Sequence, residues 1–187
     1  MIKRCLFVSL LSLLSFCATA QTDQGTWLVG LSGNGSFRRV EQSKITSLQL
    51  APQLGYFVNK NLVLGTQLTL DHDQRTFMET LTYKSNTTSI HGLARYYFGN
   101  WKARPYVNFM TGYTWNRALT MSQNGELVRF RGDEGWNASL GAGVAYFVAP
   151  KVALEADANY RHHFNDDLGR RNNRAVTLRL GLSLYLR

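Results

Sequence analysis

Residues 176–186, VTLRLGLSLYL, decide the fold because large apolar side chains alternate with small or polar ones along the whole segment. Val176 and the leucines at every second position lie on one face. The other face carries Thr177, Arg179, Gly181, Ser183 and Tyr185. A period of two residues is the geometry of a β-strand, in which successive side chains point to opposite sides. The segment therefore predicts a strand with one apolar face and one polar face.

The same alternation recurs in seven earlier segments, and no amphipathic helix of comparable length interrupts them. These segments are 27–37, 48–56, 62–70, 90–98, 107–115, 136–146 and 152–160. With the last segment they make eight strands of about ten residues, the length that a tilted strand needs to cross a bilayer.

Connections between the strands alternate between short and long. Short turns are predicted at 58–61, 99–104 and 148–151, and long polar loops at 38–44, 72–86, 118–135 and 162–174. A barrel with short connections at one end and long ones at the other is typical of an up-and-down meander in an outer membrane, with short periplasmic turns and longer outer loops. The prediction is an all-β fold, an eight-stranded antiparallel up-and-down transmembrane β-barrel.

The N-terminus has the pattern of a secretory signal peptide. Lys3 and Arg4 precede the apolar run 5–16, and Ala18-Thr19-Ala20 provides a cleavage site. The run is shorter than the ~18 residues of a spanning helix. We therefore predict a signal peptide at 1–20, cleaved after Ala20, and a barrel domain at 21–187.

Cleavage at that site would remove both cysteines of the chain, Cys5 and Cys17. A lipoprotein signal that acylates Cys17 is the alternative, but Phe16 is large for the position before such a cysteine. Loss of Lys3 and Arg4 lowers the formal net charge from +9 to +7. The mature chain is expected to contain no disulfide and no cysteine metal site.

Alternation alone does not decide which face points inward, since a soluble barrel such as a lipocalin alternates too. Here the polar face consists mainly of Gly, Ala, Ser, Thr, Asn and Gln. The lysines after the leader fall in predicted loops and turns, namely Lys44, Lys60, Lys84, Lys102 and Lys151. Because an eight-stranded bore is just wide enough for side chains, the small polar face is predicted to point inward and the apolar face toward lipid.

Aromatic residues near both strand ends predict two membrane-interface girdles. Near the turns the set is Trp27, Tyr56, Phe57, Phe98, Trp101, Tyr106, Tyr146 and Phe147; near the loops it is Phe37, Tyr113, Trp115, Trp136 and Tyr160.

The phrases PQLGYFVNKNL at 52–62 and ARYYF at 94–98 resemble the small outer-membrane β-barrel domain proteins of Bacteroidetes, in the OmpA/OmpX-like superfamily. The resemblance covers the chain after residue 20 and includes no catalytic motif. It implies a monomer in the outer membrane of a Gram-negative cell, in contact with outer-membrane lipid and lipopolysaccharide and inserted by the barrel-assembly machinery. The C-terminal Leu184-Tyr185-Leu186-Arg187 departs from the terminal aromatic residue that many such proteins carry.

Five charged residues fall on the inward face of their strands, and they are Arg95, Glu155, Asp157, Arg161 and Arg179. Neighbouring strands allow Glu155 and Asp157 to face Arg179. Because a buried charge is costly without a partner, we expect a paired structural network in the bore rather than an ion path.

Arginines also cluster in the predicted outer loops. Those expected to contact lipopolysaccharide phosphates are Arg38, Arg39, Arg129, Arg131, Arg170 and Arg171. Guanidinium groups bind phosphate well, and ordinary solvated loops are the alternative reading. Export argues against nucleic acid as a partner, despite a pI of about 9.8.

No residue pattern predicts a catalytic site, a cofactor or a metal. Ser89 and His91 fall on the bore face, and His72, Asp73 and Ser122 only loosely resemble an acyl-transfer set. We expect a non-enzymatic barrel that acts in membrane integrity or in surface interaction through its outer loops, with a partner that the sequence does not specify. The alternatives are a lipid A-modifying enzyme and a narrow pore.

Overall fold

A computed structural model describes residues 23–40, 43–77, 81–121, 127–131, 134–164 and 174–187. The predicted signal peptide and its cleavage site lie outside these ranges. Within them the strands are β1 (Trp27–Val40), β2 (Ser43–Phe57), β3 (Leu62–Phe77), β4 (Leu81–Tyr97), β5 (Ala103–Met121), β6 (Leu127–Arg131), β7 (Gly135–Ala149), β8 (Val152–His163) and β9 (Arg174–Leu186). No helix among the described residues is long and apolar enough to cross a membrane.

Eight of the strands form a closed ring, which confirms the predicted fold. Consecutive strands pair antiparallel from β1 to β5, then β5 pairs with β7, β7 with β8 and β8 with β9. Trp27 lies opposite Leu186, so that β9 closes the ring on β1. Among the described strands, the short β6 pairs only with the outer end of β5 and is not part of the ring.

All four predicted long loops contain strand residues, three of them over several positions, and those loop boundaries were therefore wrong. β3 and β4 stay paired as far as Phe77 and Leu81, and β1 and β2 as far as Val40 and Ser43. The segment 118–135 also contains the end of β5 and all of β6. Apolar alternation is required only where one face meets lipid, so a polar hairpin beyond the apolar zone can continue the ladder without that signal.

Apolar side chains cover the outer face of the ring, as predicted. Leu140, for example, is 63% exposed and lies between Trp136 and Tyr146 on the outer face of β7. A contiguous apolar exterior of this extent is typical of a surface that meets lipid rather than water. Closure of the ladder satisfies the backbone polar groups that hydrocarbon cannot.

Three aromatic residues predicted in the turn-end girdle instead point into the bore. Phe57, Tyr106 and Phe147 are at most 1% exposed, whereas Trp27, Tyr56, Phe98, Trp101 and Tyr146 face outward. The reason is the strand period: Phe57 follows Tyr56 and Phe147 follows Tyr146, and adjacent residues cannot share a face. The turn end thus has an outer girdle and a separate inner cluster of rings.

Candidate functional site: the polar bore

Alternation on three strands brings charged side chains into the bore. Arg95 is supplied by β4, Glu155 and Asp157 by β8, and Arg179 by β9, and each is at most 7% exposed. All four were predicted to face inward. In the protein they form two ion pairs at neighbouring levels of the bore.

The first ion pair joins strands that are not neighbours. Arg95 Nη1 donates to Glu155 Oε1 and Oε2 at 3.1 and 3.0 Å. Arg95 Nη2 donates to Gln53 Oε1 at 2.9 Å, and Nη1 also donates to the Tyr97 hydroxyl at 3.0 Å. The guanidinium carbon lies 4.2 Å from the centre of the Tyr106 ring. One arginine therefore links β2, β4, β5 and β8 across the interior, which a wide bore would not permit.

The second ion pair joins two adjacent strands. Asp157 lies opposite Arg179 in the β8–β9 ladder. Arg179 Nε donates to Asp157 Oδ1 at 2.9 Å and Nη2 donates to Oδ2 at 3.3 Å, a two-point contact. The Tyr106 hydroxyl donates to Oδ2 at 3.3 Å, and the Asn159 amide donates to Oδ1. This carboxylate is thereby satisfied on both oxygens.

The expected sharing of Arg179 by both carboxylates is not what the structure contains. Glu155 lies opposite Gly181 in the ladder, one step nearer the turn end than Arg179. Its carboxylate instead binds Arg95 from the far wall. Local register predicted the Asp157 partner correctly but carried no information about contacts across the barrel.

Arg161, the fifth predicted bore residue, lies nearer the outer end of the barrel than the two ion pairs and is half-buried. Its charge interacts favourably with Asp71 and unfavourably with Arg179. Asp71 in turn accepts a hydrogen bond from the Gln49 amide. The charged side chains in the outer part of the bore, Asp71 and Arg161, are thus less buried than Arg95 and Glu155.

Neutral polar side chains form a further group on β4, β5 and β7. His91 Nε2 lies 2.8 Å from Asn137 Oδ1, and Asn137 Nδ2 donates to Thr114 Oγ1 at 2.7 Å. Ser89 Oγ is 2.8 Å from the same threonine oxygen. This group links adjacent strands by hydrogen bonds, and sequence reasoning placed Ser89 and His91 on the bore face correctly.

An aromatic cluster fills the turn end of the bore beneath the first ion pair. It comprises Phe57, Tyr97, Tyr106, Phe147 and Tyr185, with neighbouring ring centres 4.8 to 5.9 Å apart. The hydroxyls of Tyr97 and Tyr185 are 3.1 Å apart and lie next to Glu155. Sequence reasoning assigned no role to Tyr97 or Gln53. Both lie on the inward face of their strands, and Tyr97 is two residues from Arg95, which was the signal available.

Glycine at position 143 makes room for one ring of this cluster. A Cβ on Gly143 would lie 2.6 Å from Tyr106 Cζ and 2.6 Å from the Ala156 carbonyl oxygen. Cβ atoms in proteins essentially never approach other heavy atoms that closely, so a side chain at this position would displace the Tyr106 ring. The glycine therefore allows Tyr106 to lie across the bore over Arg95.

The arginines predicted to contact lipopolysaccharide lie at the outer end of the barrel or outside the described residues. Arg38 and Arg39 belong to the end of β1, and Arg129 and Arg131 to β6. The side chains of these four, and the whole of Arg170 and Arg171, lie outside what the structure describes.

The sequence matches the family described as "Outer membrane protein beta-barrel domain" over residues 6–184. The chain belongs to this family. It is therefore an outer-membrane β-barrel, with transmembrane strands and an outer-membrane location, as predicted. A Bacteroidetes type stays a prediction.

Solved structures with the same fold support this assignment at the level of architecture. Neisserial surface protein A is 18% identical, with a TM-score of 0.54 over 86% of this chain and 97% of that one. A major outer membrane protein from Thermus thermophilus is 11% identical, with a TM-score of 0.58 over 87% and 99%. Ail, the attachment invasion locus protein of Yersinia pestis, is 12% identical, with a TM-score of 0.52 over 87% and 98%. Comparison with curated proteins found no match.

Proposed function

We propose that this outer-membrane β-barrel is a non-enzymatic protein whose bore is closed by its own side chains, and that it acts in membrane integrity or surface interaction through its outer loops. The observation that carries the proposal is the ion pair of Arg95 and Glu155 across the bore, directly above the aromatic cluster. A side chain that reaches from one wall to the opposite wall leaves little room for a water column.

Energetics also favour a closed bore over a narrow pore. An open path would require Arg95 to leave Glu155, and separation of a buried pair costs several kcal/mol. The aromatic cluster beneath it would also have to move, against the packing of its rings. Eight strands enclose an interior that side chains are just able to fill.

The histidines give little support to the alternative of a lipid A-modifying enzyme. His72 is exposed on the outer face of β3, so the adjacent Asp73 points to the opposite face of the strand. His91 is 1% exposed inside the barrel and contacts Asn137. His162 packs edge-on against Phe164. General acid–base work on a lipid needs such groups to converge where the lipid can reach them.

The remaining proposals concern the surroundings of the barrel. Arg38, Arg39, Arg129, Arg131, Arg170 and Arg171 would contact lipopolysaccharide phosphates, because they belong to the outer ends and connections of the strands. Residues 1–20 would direct export and be cleaved after Ala20. The barrel would be a monomer inserted by the barrel-assembly machinery, with an unidentified loop partner and no cofactor.

Planar-bilayer recording tests the closed bore. We expect the purified wild-type protein to give no steady single-channel steps in a bilayer where a general porin conducts. The physical reason is the pair of obstructions at the Arg95 level and in the aromatic cluster. Reproducible steps from folded protein would contradict the closed bore and favour the narrow pore.

A parallel experiment addresses the enzyme alternative. Lipid A extracted from cells that express the protein is expected to have the same mass spectrum as lipid A from cells with an empty vector. A gain or loss of one acyl chain that disappears on His72→Ala or His162→Ala would overturn the non-enzymatic proposal.

A further inference from the structure

The seam between β1 and β9 is paired over only part of its length. Its ladder runs from Trp27 and Leu186 to Gly33 and Leu180. Beyond it, β1 continues to Val40 against β2, and β9 begins at Arg174 against β8. In the described part of the two strands, residues 34–39 and 174–179 thus present backbone edges toward each other without a ladder. Unpaired edges of this kind attract a further binding partner.

A side chain replaces the backbone ladder at the point where the strands separate. Asn34 Nδ2 donates to the Leu178 carbonyl oxygen at 3.0 Å. If the register continued, Asn34 would lie opposite Arg179 and Gly35 opposite Leu178. An amide side chain that reaches a backbone acceptor indicates that the two strands have moved apart beyond Gly33.

Apolar side chains beside this gap are unusually exposed. Among the described residues, four of the five most exposed large apolar side chains flank it: Val176 at 73%, Leu180 at 72%, Phe37 at 70% and Leu178 at 69%. Outward leucines within the paired part of the same strand are less exposed, with Leu182 at 46% and Leu184 at 38%. Leu180 lies opposite Gly33, so its partner in β1 supplies no side chain to cover it. The gap is therefore an apolar cleft on the lipid side of the barrel.

Positive charge lies at the outer end of the same cleft. Arg174, the first residue of β9, is exposed there. A phosphate can accept charge-assisted hydrogen bonds from its guanidinium group.

We propose that the cleft formed by residues 34–37 and 174–180 binds one phosphate-bearing lipid. Its acyl chain lies along Phe37, Val176 and Leu178, and its phosphate lies on Arg174. An amphiphile fits both halves of the cleft: a free phosphate would leave the apolar side chains uncovered, and a neutral chain would leave Arg174 without a counter-ion. This inference requires neither the closed bore nor the other arginines of the outer loops.

Disulfide cross-linking tests whether the cleft exists. Phe37→Cys with Val176→Cys would bring two cysteines together only if the ladder continued, whereas Val29→Cys with Leu184→Cys joins true register partners. In phosphatidylcholine vesicles with an oxidant, we expect the seam pair to cross-link at least about fivefold less than the control pair, because a disulfide needs Cβ atoms within about 4.5 Å. Equal cross-linking would overturn the proposal.

Photolabelling tests the ligand. Dodecyl phosphate with a diazirine in its chain is expected to label peptides 34–40 and 174–180 saturably, in competition with unlabelled dodecyl phosphate. Dodecyl maltoside and inorganic phosphate should compete at least about tenfold less well, since each lacks one half of the ligand. Arg174→Gln should weaken labelling about tenfold, the effect of one charge-assisted hydrogen bond.

The matched control is Arg117→Gln, which removes an exposed arginine from the outer end of β5 and should leave labelling of the cleft unchanged. Equal loss in both variants, competition by inorganic phosphate alone, or unsaturable labelling spread around the barrel would each overturn the proposal. Efficient cross-linking of the control cysteine pair, also when it is combined with Arg174→Gln or Arg117→Gln, shows that these variants fold.

Discussion

Replacement of Arg95 by methionine is expected to lower the free energy of unfolding by about 3 to 5 kcal/mol, the cost of leaving a buried charge without its partner. Glu155 would remain 4% exposed inside the barrel without its cation. Gln53 and the Tyr97 hydroxyl would lose a hydrogen bond to the same guanidinium. The measurement is urea unfolding in phospholipid vesicles, followed by tryptophan fluorescence.

Two further variants separate the ion pair from other causes. Arg95→Met with Glu155→Leu removes both charges and should recover most of the lost stability, because a buried pair replaced by apolar residues is often close to neutral. Arg117→Met removes an exposed arginine and should change stability by no more than about 0.5 kcal/mol. A single Arg95→Met variant as stable as the wild type would show that Glu155 is not held buried by this contact.

A second large effect is expected on the outside of the barrel. Leu140→Arg should lower the free energy of unfolding by about 2 to 4 kcal/mol, because it places a cation at the bilayer midplane. Leu140 lies midway along the outer face of β7, between the girdle residues Trp136 and Tyr146. The same urea titration in vesicles measures the change.

Tyr146→Arg is the matched control, since it puts the same charge on the same face of the same strand near the interface. Its cost should be about 0 to 1 kcal/mol from the depth dependence of charged residues, plus the loss of the Lys102 contact with the Tyr146 ring. Two variants of equal stability would mean that the outer face of β7 does not lie in hydrocarbon.

The strand period predicted that Arg95, Glu155, Asp157 and Arg179 enter the bore, since their sequence neighbours are apolar residues of the outer face. It missed Arg104, which is 1% exposed and lies over the Tyr97 ring, because that residue was assigned to the turn 99–104. The same rule, applied to Phe57 and Phe147, would have placed them inside. Grouping them with the girdle by their nearness to a turn was the mistake, because nearness to a turn does not determine a face.

Partners across the bore could not be predicted from the sequence. Asp157 and Arg179 meet because β8 and β9 are adjacent in the ladder, and adjacency follows from chain order in a meander. Arg95 and Glu155 meet because of the diameter of the ring and the stagger of its strands, which set the levels that face each other. A local sequence pattern determines neither the diameter nor the stagger.

The ends of strands outside the apolar zone could also not be predicted from the sequence. The hairpin from His72 to Asn86 is paired throughout its described residues, yet its sequence reads as a polar loop. Water solvates both faces of such a hairpin, so its strands do not need alternating apolar residues outside the membrane. The seam of β1 and β9 shows the converse, since apolar alternation continues to Val176 although the ladder ends at Leu180.

The central claim is that the chain is a closed barrel in the outer membrane, and the mobility of unheated protein on a gel after membrane fractionation tests it most directly. A closed ladder resists detergent at room temperature and unfolds on boiling, because its backbone hydrogen bonds form a ring without edges. We expect the protein in the outer-membrane fraction, with heated and unheated samples migrating at different positions. Recovery from the soluble periplasm, with one mobility in both samples, would contradict the account.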